Sequence, residues 1–158
     1  MRIAFTSIRN SVRPKLQPLL DVEGEENQEE LNIMANEAEK IVNDFCKAFE
    51  SKNLEAIMGF FTDDAVYHNI PMKPVSGKAA IRTTIQSFMP KSEKDTITFK
   101  ILHTSSNGNV VFNERVDMFD TSGKHVELPV AGVFEISGGK IAKWRDYFDL
   151  QSFTKQMS

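Results

Sequence analysis

The feature that most constrains this chain is a change of hydrophobic period at Pro90. Before it, apolar residues recur every three to four positions. Ile41, Phe45, Ala48 and Phe49 share one face of a predicted helix over residues 36–51. Asn53 is placed to cap a short helix over 54–61. Thr62-Asp63-Asp64 reads as a turn and 65–70 as a short strand, and Ile81, Ile85 and Phe88 define a helix over 78–89. After Pro90 the period is two, and residues 96–103, 110–119, 125–135 and 141–148 read as strands. Their joints, at 105–108, 120–123 and 137–139, are short enough to require antiparallel neighbours. Helices followed by a strand meander predict an α+β fold: a curved, mostly antiparallel sheet covered on one face by about three N-terminal helices.

At 158 residues the chain is long enough for one domain with its own core. Its net charge of −3 conceals a split. Residues 1–20 carry Arg2, Arg9, Arg13 and Lys15 and no acid, while 21–50 carry ten acids against Lys40 and Lys47. Residues 1–33 are therefore read as a mobile N-terminal extension with an acidic, solvated linker, and 34–158 as a single catalytic domain. The basic, acid-free start also has the composition of an organellar transit peptide, but the expected location is cytoplasmic. The near-balanced body argues against nucleic acid as a partner. No apolar run approaches the ~18 residues of a membrane span. The lone Cys46 excludes an intramolecular disulfide and a cysteine zinc site, and His68, His103 and His125 match no ligand spacing, so no metal is expected.

The informative residues are polar ones on apolar faces. In the last strand Trp144, Asp146 and Phe148 share a face, and a carboxylate between aromatics is costly to bury without a partner. In the second strand of the meander Asn113, Arg115, Asp117 and Phe119 share a face. Tyr67 and Asn69 do so in the early strand, and Leu128 and Val130 form an apolar wall in the third. If these faces converge, an Arg between two carboxylates lets their pKa values separate into an acid and a base. Alternation alone leaves other readings open. Arg115 and Asp117 could be an exposed pair of little energetic weight, Tyr67 a core tyrosine, and Asn69 the end of its strand. Cys46 reads as a small core residue.

Three segments then carry a resemblance: Tyr67-His68-Asn69-Ile70-Pro71, Asn113-Glu114-Arg115-Val116-Asp117 and Trp144-Arg145-Asp146-Tyr147-Phe148-Asp149. Their order resembles that of limonene-1,2-epoxide hydrolases, and the likeness covers about residues 36–155. It implies the cone of the nuclear-transport-factor-2-like and cystatin-like class, with a deep apolar pocket, and a homodimer paired through the sheet. It also implies one-step hydrolysis of a hydrophobic, cyclic or terpene-like epoxide to a vicinal diol, without covalent intermediate or cofactor. Asp146 would take a proton from a water held also by Tyr67 and Asn69. Asp117 would protonate the epoxide oxygen, and Arg115 would orient both carboxylates. Phe49, Phe88, Phe119, Leu128, Val130, Trp144 and Phe148 would line the pocket. The family has aliphatic residues in place of Phe88 and Phe119, and 89–96 differs in length and polarity, which would reshape the mouth. A cyclase or isomerase of the same fold, or a non-catalytic ligand-binding or dimerisation module, are the alternatives.

Overall fold

The computed structural model describes residues 17–158 except Ser122, with residues 17–26 described by their backbone alone. The basic segment at the very start, with its targeting alternative, lies outside them up to residue 16. The element order is α1 (Gln17–Ala48), a 3-10 turn (Phe49–Ser51), α2 (Leu54–Gly59), β1 (Phe61–Asn69), β2 (Val75–Ser76), α3 (Lys78–Phe88), β3 (Thr96–Asn107), β4 (Val110–Thr121), β5 (Lys124–Ser137), β6 (Lys140–Tyr147) and α4 (Leu150–Met157). The predicted α+β architecture is present: N-terminal helices pack on one curved six-stranded sheet of order β2-β1-β6-β5-β4-β3. All pairings are antiparallel except β1 with β6. No helix of the described residues is long and apolar enough to cross a membrane.

Two local expectations are corrected. The first helix, Gln17–Ala48, is already formed well before residue 36, so the acidic linker over 21–30 is helical. Glu, Gln and Leu are adequate helix formers whether or not they pack. None of residues 27–37 is buried, and burial starts at Ala38. Thr62-Asp63-Asp64 is not a turn but the bulged part of β1, where the register against β6 shifts between Phe61 and Val66. β2 and α4 were not foreseen.

The core is aromatic. Phe45, on the buried face of α1, meets Phe49, Phe61 and Trp144 edge to face, with ring centroids 5.3, 5.3 and 5.0 Å away. The helix ends because Lys52 turns into the left-handed region at φ 55° and its N–H closes on the Phe49 carbonyl. Asn53 then caps α2 as expected, its side chain accepting from the Ala56 N–H. Phe45→Ala should lower the unfolding free energy by about 3–5 kcal/mol, because one ring fills the space between helix and sheet. Urea denaturation measures this, and a loss below about 1 kcal/mol would mean that the core repacks around the gap.

Candidate active site

Four strands carry one row of residues across the helix-covered face of the sheet. Asn69 on β1 is the register partner of Asp146 on β6. Asp146 faces Gly132 on β5, and Gly132 faces Asn113 on β4. The glycine leaves a gap in that row. A Cβ at this position would overlap Arg115 Nη1 and Asn113 Oδ1, so the guanidinium occupies the space that any other residue would fill.

Arg115 and Asp117 are two apart on β4 and share its inner face. Arg115 is fully buried. Its Nε donates to Asp117 Oδ1 at 2.7 Å, and Nη2 donates to Asp117 Oδ2 at 3.2 Å and to Asp146 Oδ2 at 2.7 Å. Nη1 donates to Asn113 Oδ1 at 3.1 Å. The Phe99 ring packs 5.1 Å from Cζ. The convergence that alternation left open is therefore present, and the exposed-pair reading of Arg115 and Asp117 is excluded.

Asp146 receives a second donor, Trp144 Nε1 to Oδ1 at 2.6 Å. Tyr67 stacks on Trp144 with centroids 4.0 Å apart, and its hydroxyl donates to Asn69 Oδ1 at 2.9 Å. That bond turns the Asn69 amide nitrogen outward as a donor and leaves the Tyr67 oxygen as an acceptor. Burial and the charge of Asp146 push the Tyr67 phenol well above its usual range, so it stays protonated.

The electrostatics are those of two carboxylates sharing one cation in a dry site. Burial alone would lower the Arg115 pKa, but Asp146 and Asp117 outweigh it, and the group stays charged. Burial raises both carboxylates. Asp117 rises to about 6: its desolvation is opposed by Arg115 and reinforced by the charge on Asp146. Asp146 is held down by Arg115 and by the Trp144 hydrogen bond. With both carboxylates ionised the cluster is net negative, and one proton neutralises it. The two carboxylates titrate together, both raised by burial, and Asp117 is raised further by the charge on Asp146.

A cavity of about 560 Å³ opens above these groups. Tyr67, Asn69, Asp117 and Asp146 line it, with Phe88, Phe119, Leu128, Val130, Trp144 and Phe148. Phe49 does not: it is fully buried behind the wall, against Phe99 at 4.4 Å and Phe88 at 6.3 Å. The turn that ends α1 rotates it away from the cavity and into the core. The sequence reading missed the parts played by Asn113, Gly132 and Phe99, and saw Trp144 as wall and not as donor. Asn113 bridges inward as well, its Nδ2 donating to Cys46 Sγ at 3.7 Å. Burial pushes the Cys46 thiol up to about 12, which leaves it without thiolate chemistry. Among the described residues no three His, Cys, Asp or Glu side chains group as a metal site.

Comparison with known proteins shows the family and the fold. The family described as the limonene-1,2-epoxide hydrolase catalytic domain matches residues 36–158. The epoxide hydrolase EphG of Mycobacterium tuberculosis is 29% identical over 114 residues, which cover 72% of this chain and 74% of that protein. The structure of an M. tuberculosis limonene-epoxide-hydrolase-like enzyme matches with a TM-score of 0.68 at 28% identity, over 77% of this chain and 90% of that one. A putative polyketide cyclase from Xanthomonas campestris shares the fold with a TM-score of 0.69 at 21% identity, over 79% and 99%. The chain belongs to the limonene-1,2-epoxide hydrolase family.

The raised Asp117 pKa has a consequence for stability. Its protonated form favours folding fully below about 3.9, the unfolded value. The contribution is lost as pH rises through about 6. Asp117→Asn cannot ionise and escapes that loss. Relative to the native chain its stability should improve as pH rises from about 4 to about 6, by about 3 kcal/mol over that range, and then level off. Thermal melts across that range measure it, and a difference that does not change with pH would assign Asp117 an ordinary carboxylate pKa.

Proposed function

We propose that this protein hydrolyses a hydrophobic epoxide to a vicinal diol in a single general acid/base step. The observation that carries the reading is one buried guanidinium bonded to two carboxylates that line the same cavity. Asp146 is the base. A water that donates to Asp146 and to the Tyr67 oxygen, and accepts from the Asn69 amide, has its remaining lone pair directed at the substrate. As the water oxygen bonds to an epoxide carbon, its proton passes to Asp146 and the ring C–O bond breaks. Asp117, among Phe119, Leu128 and Phe99, delivers its proton to the departing oxygen. Arg115 stays charged throughout, so the cluster only exchanges which carboxylate is protonated. Solvent exchange then returns it to the starting state. The chemistry asks for no cofactor.

The carboxylate pair has no second role that a mere binding module would need, since burying three charged groups is expensive. A cyclase of the same fold remains the alternative, and turnover of a β-ketoester without turnover of any epoxide would favour it. The outer face of the sheet supports the further reading of a homodimer. Phe112, opposite Val133, and Tyr147, opposite Ala131, are 49% and 46% exposed there. Light scattering should then give twice the 17.9 kDa chain mass.

Asp117→Asn and Asp146→Asn should each cut turnover of cyclohexene oxide by roughly 10²–10⁴. Near-native rates in either would show that the roles are misassigned. In single turnover with heavy-oxygen water the diol should carry the label, and unlabelled diol would mean that a carboxylate attacks the ring. Because the acid must be protonated, kcat/KM should fall as pH rises through about 6.

A further inference from the structure

The charged residues that line the cavity are segregated. Asp117 and Asp146 are buried at its floor, and the other two, Lys91 and Lys124, are exposed at its rim. Asp117, Phe119 and Thr121 follow one another along the inner face of β4, and Thr121 pairs with Lys124 across the hairpin. Four residues of strand place that rim about 13 Å from the acid, at ~3.3 Å per residue.

Lys124 is held by its side chain, and the backbone that carries Lys91 is fixed. Lys124 Nζ donates to the Met157 carbonyl at the end of α4, at 2.6 Å, which leaves two of its three hydrogens for another acceptor. Lys91 rides on the loop between α3 and β3. Asp95 fixes that loop by accepting the Lys91 and Ser92 backbone N–H groups, each at 3.1 Å. The acids nearest along the hairpin, Asp120 and Glu127, lie on its outer face and are turned to His125. The hairpin side of the rim therefore presents positive charge, whereas the floor offers a carboxylate only a guanidinium already shared by two others.

We propose that the cavity selects hydrophobic epoxides that carry a carboxylate at the end remote from the ring, with Lys91 and Lys124 as the residues that read it. This rests on the epoxide-hydrolysis reading and narrows its substrate class. An amphiphile of this kind has one low-energy orientation. Its head takes the two ammonium groups, its body lies against Phe119, Leu128 and Phe153, and its ring arrives between Asp117 and Asp146.

The test can be made independent of turnover. Trp144 is the sole tryptophan and lines the cavity, so its fluorescence reports occupancy. Undecanoate and methyl undecanoate, neither of which can react, differ only in the charge of the head. The native chain should bind undecanoate about three- to ten-fold tighter than the ester, the scale of two rim ion pairs. The preference should shrink in high salt. Lys91→Met with Lys124→Met should abolish it, Lys91→Met alone should reduce it, and Lys124→Arg should keep it. Equal binding of acid and ester by the native chain, or a preference that survives in the double variant, overturns the proposal. A kinetic arm compares 10,11-epoxyundecanoate with its methyl ester, and the acid should have the higher kcat/KM. If neither epoxide turns over, the hydrolase reading fails, while the fluorescence ratio still decides the reading of the rim.

Discussion

A fully buried guanidinium is the constraint around which this structure is organised. Arg115 has no solvent to stabilise its charge, so it must be met on every side. Asp117 meets it within its own strand, and Asp146 meets it from β6, two strands away. The strand between, β5, would block that reach with any side chain, and Gly132 alone leaves it open. Asn113 and the Phe99 ring close the remaining sides. The dependence is mutual: the carboxylates keep the arginine charged, and the arginine keeps two carboxylates tolerable within one dry cavity.

What distinguishes the two carboxylates is their company. Asp146 has an indole donor and stands beside the polar pair Tyr67 and Asn69. Asp117 has apolar neighbours and the field of Asp146 to bear. Sheet order produces this difference. The parallel pairing of β1 with β6 brings the phenol and the carboxamide to one carboxylate and keeps them from the other. Identical functional groups thus stand in different surroundings through their positions in a single sheet.

Much of this was legible because alternation says which residues share a face, and Arg115, Asp117, Asp146, Tyr67 and Asn69 all broke an apolar pattern. Alternation does not say which strands are neighbours. That β6 lies between β1 and β5, and that Gly132 therefore separates the carboxylates, needed the three-dimensional order. Phe49 was misplaced because the helix face it seemed to continue ends one residue earlier, in a tighter turn. The acidic 21–30 segment was misread because its composition speaks about burial, which is absent in the part whose burial is described, and not about helix formation. α4 did leave a signal, in the spacing of Leu150, Phe153 and Met157 and in Asp149 as its cap, but eight residues at the end of a strand pattern are easily passed over.

The position of β6 also says something about how the molecule comes into being. The last strand in the chain is a central strand of the sheet, flanked by the first long strand on one side and the meander on the other. During synthesis β1 must wait through some seventy residues for its principal partner, with only the two-residue β2 to shield it. Asp146 arrives on that same strand, and the α4 wall of the cavity follows it. A nascent chain therefore holds Arg115 and Asp117 as an incomplete pair until the sheet is joined across its middle. Joining the sheet and assembling the carboxylate pair therefore depend on the same long-range pairing.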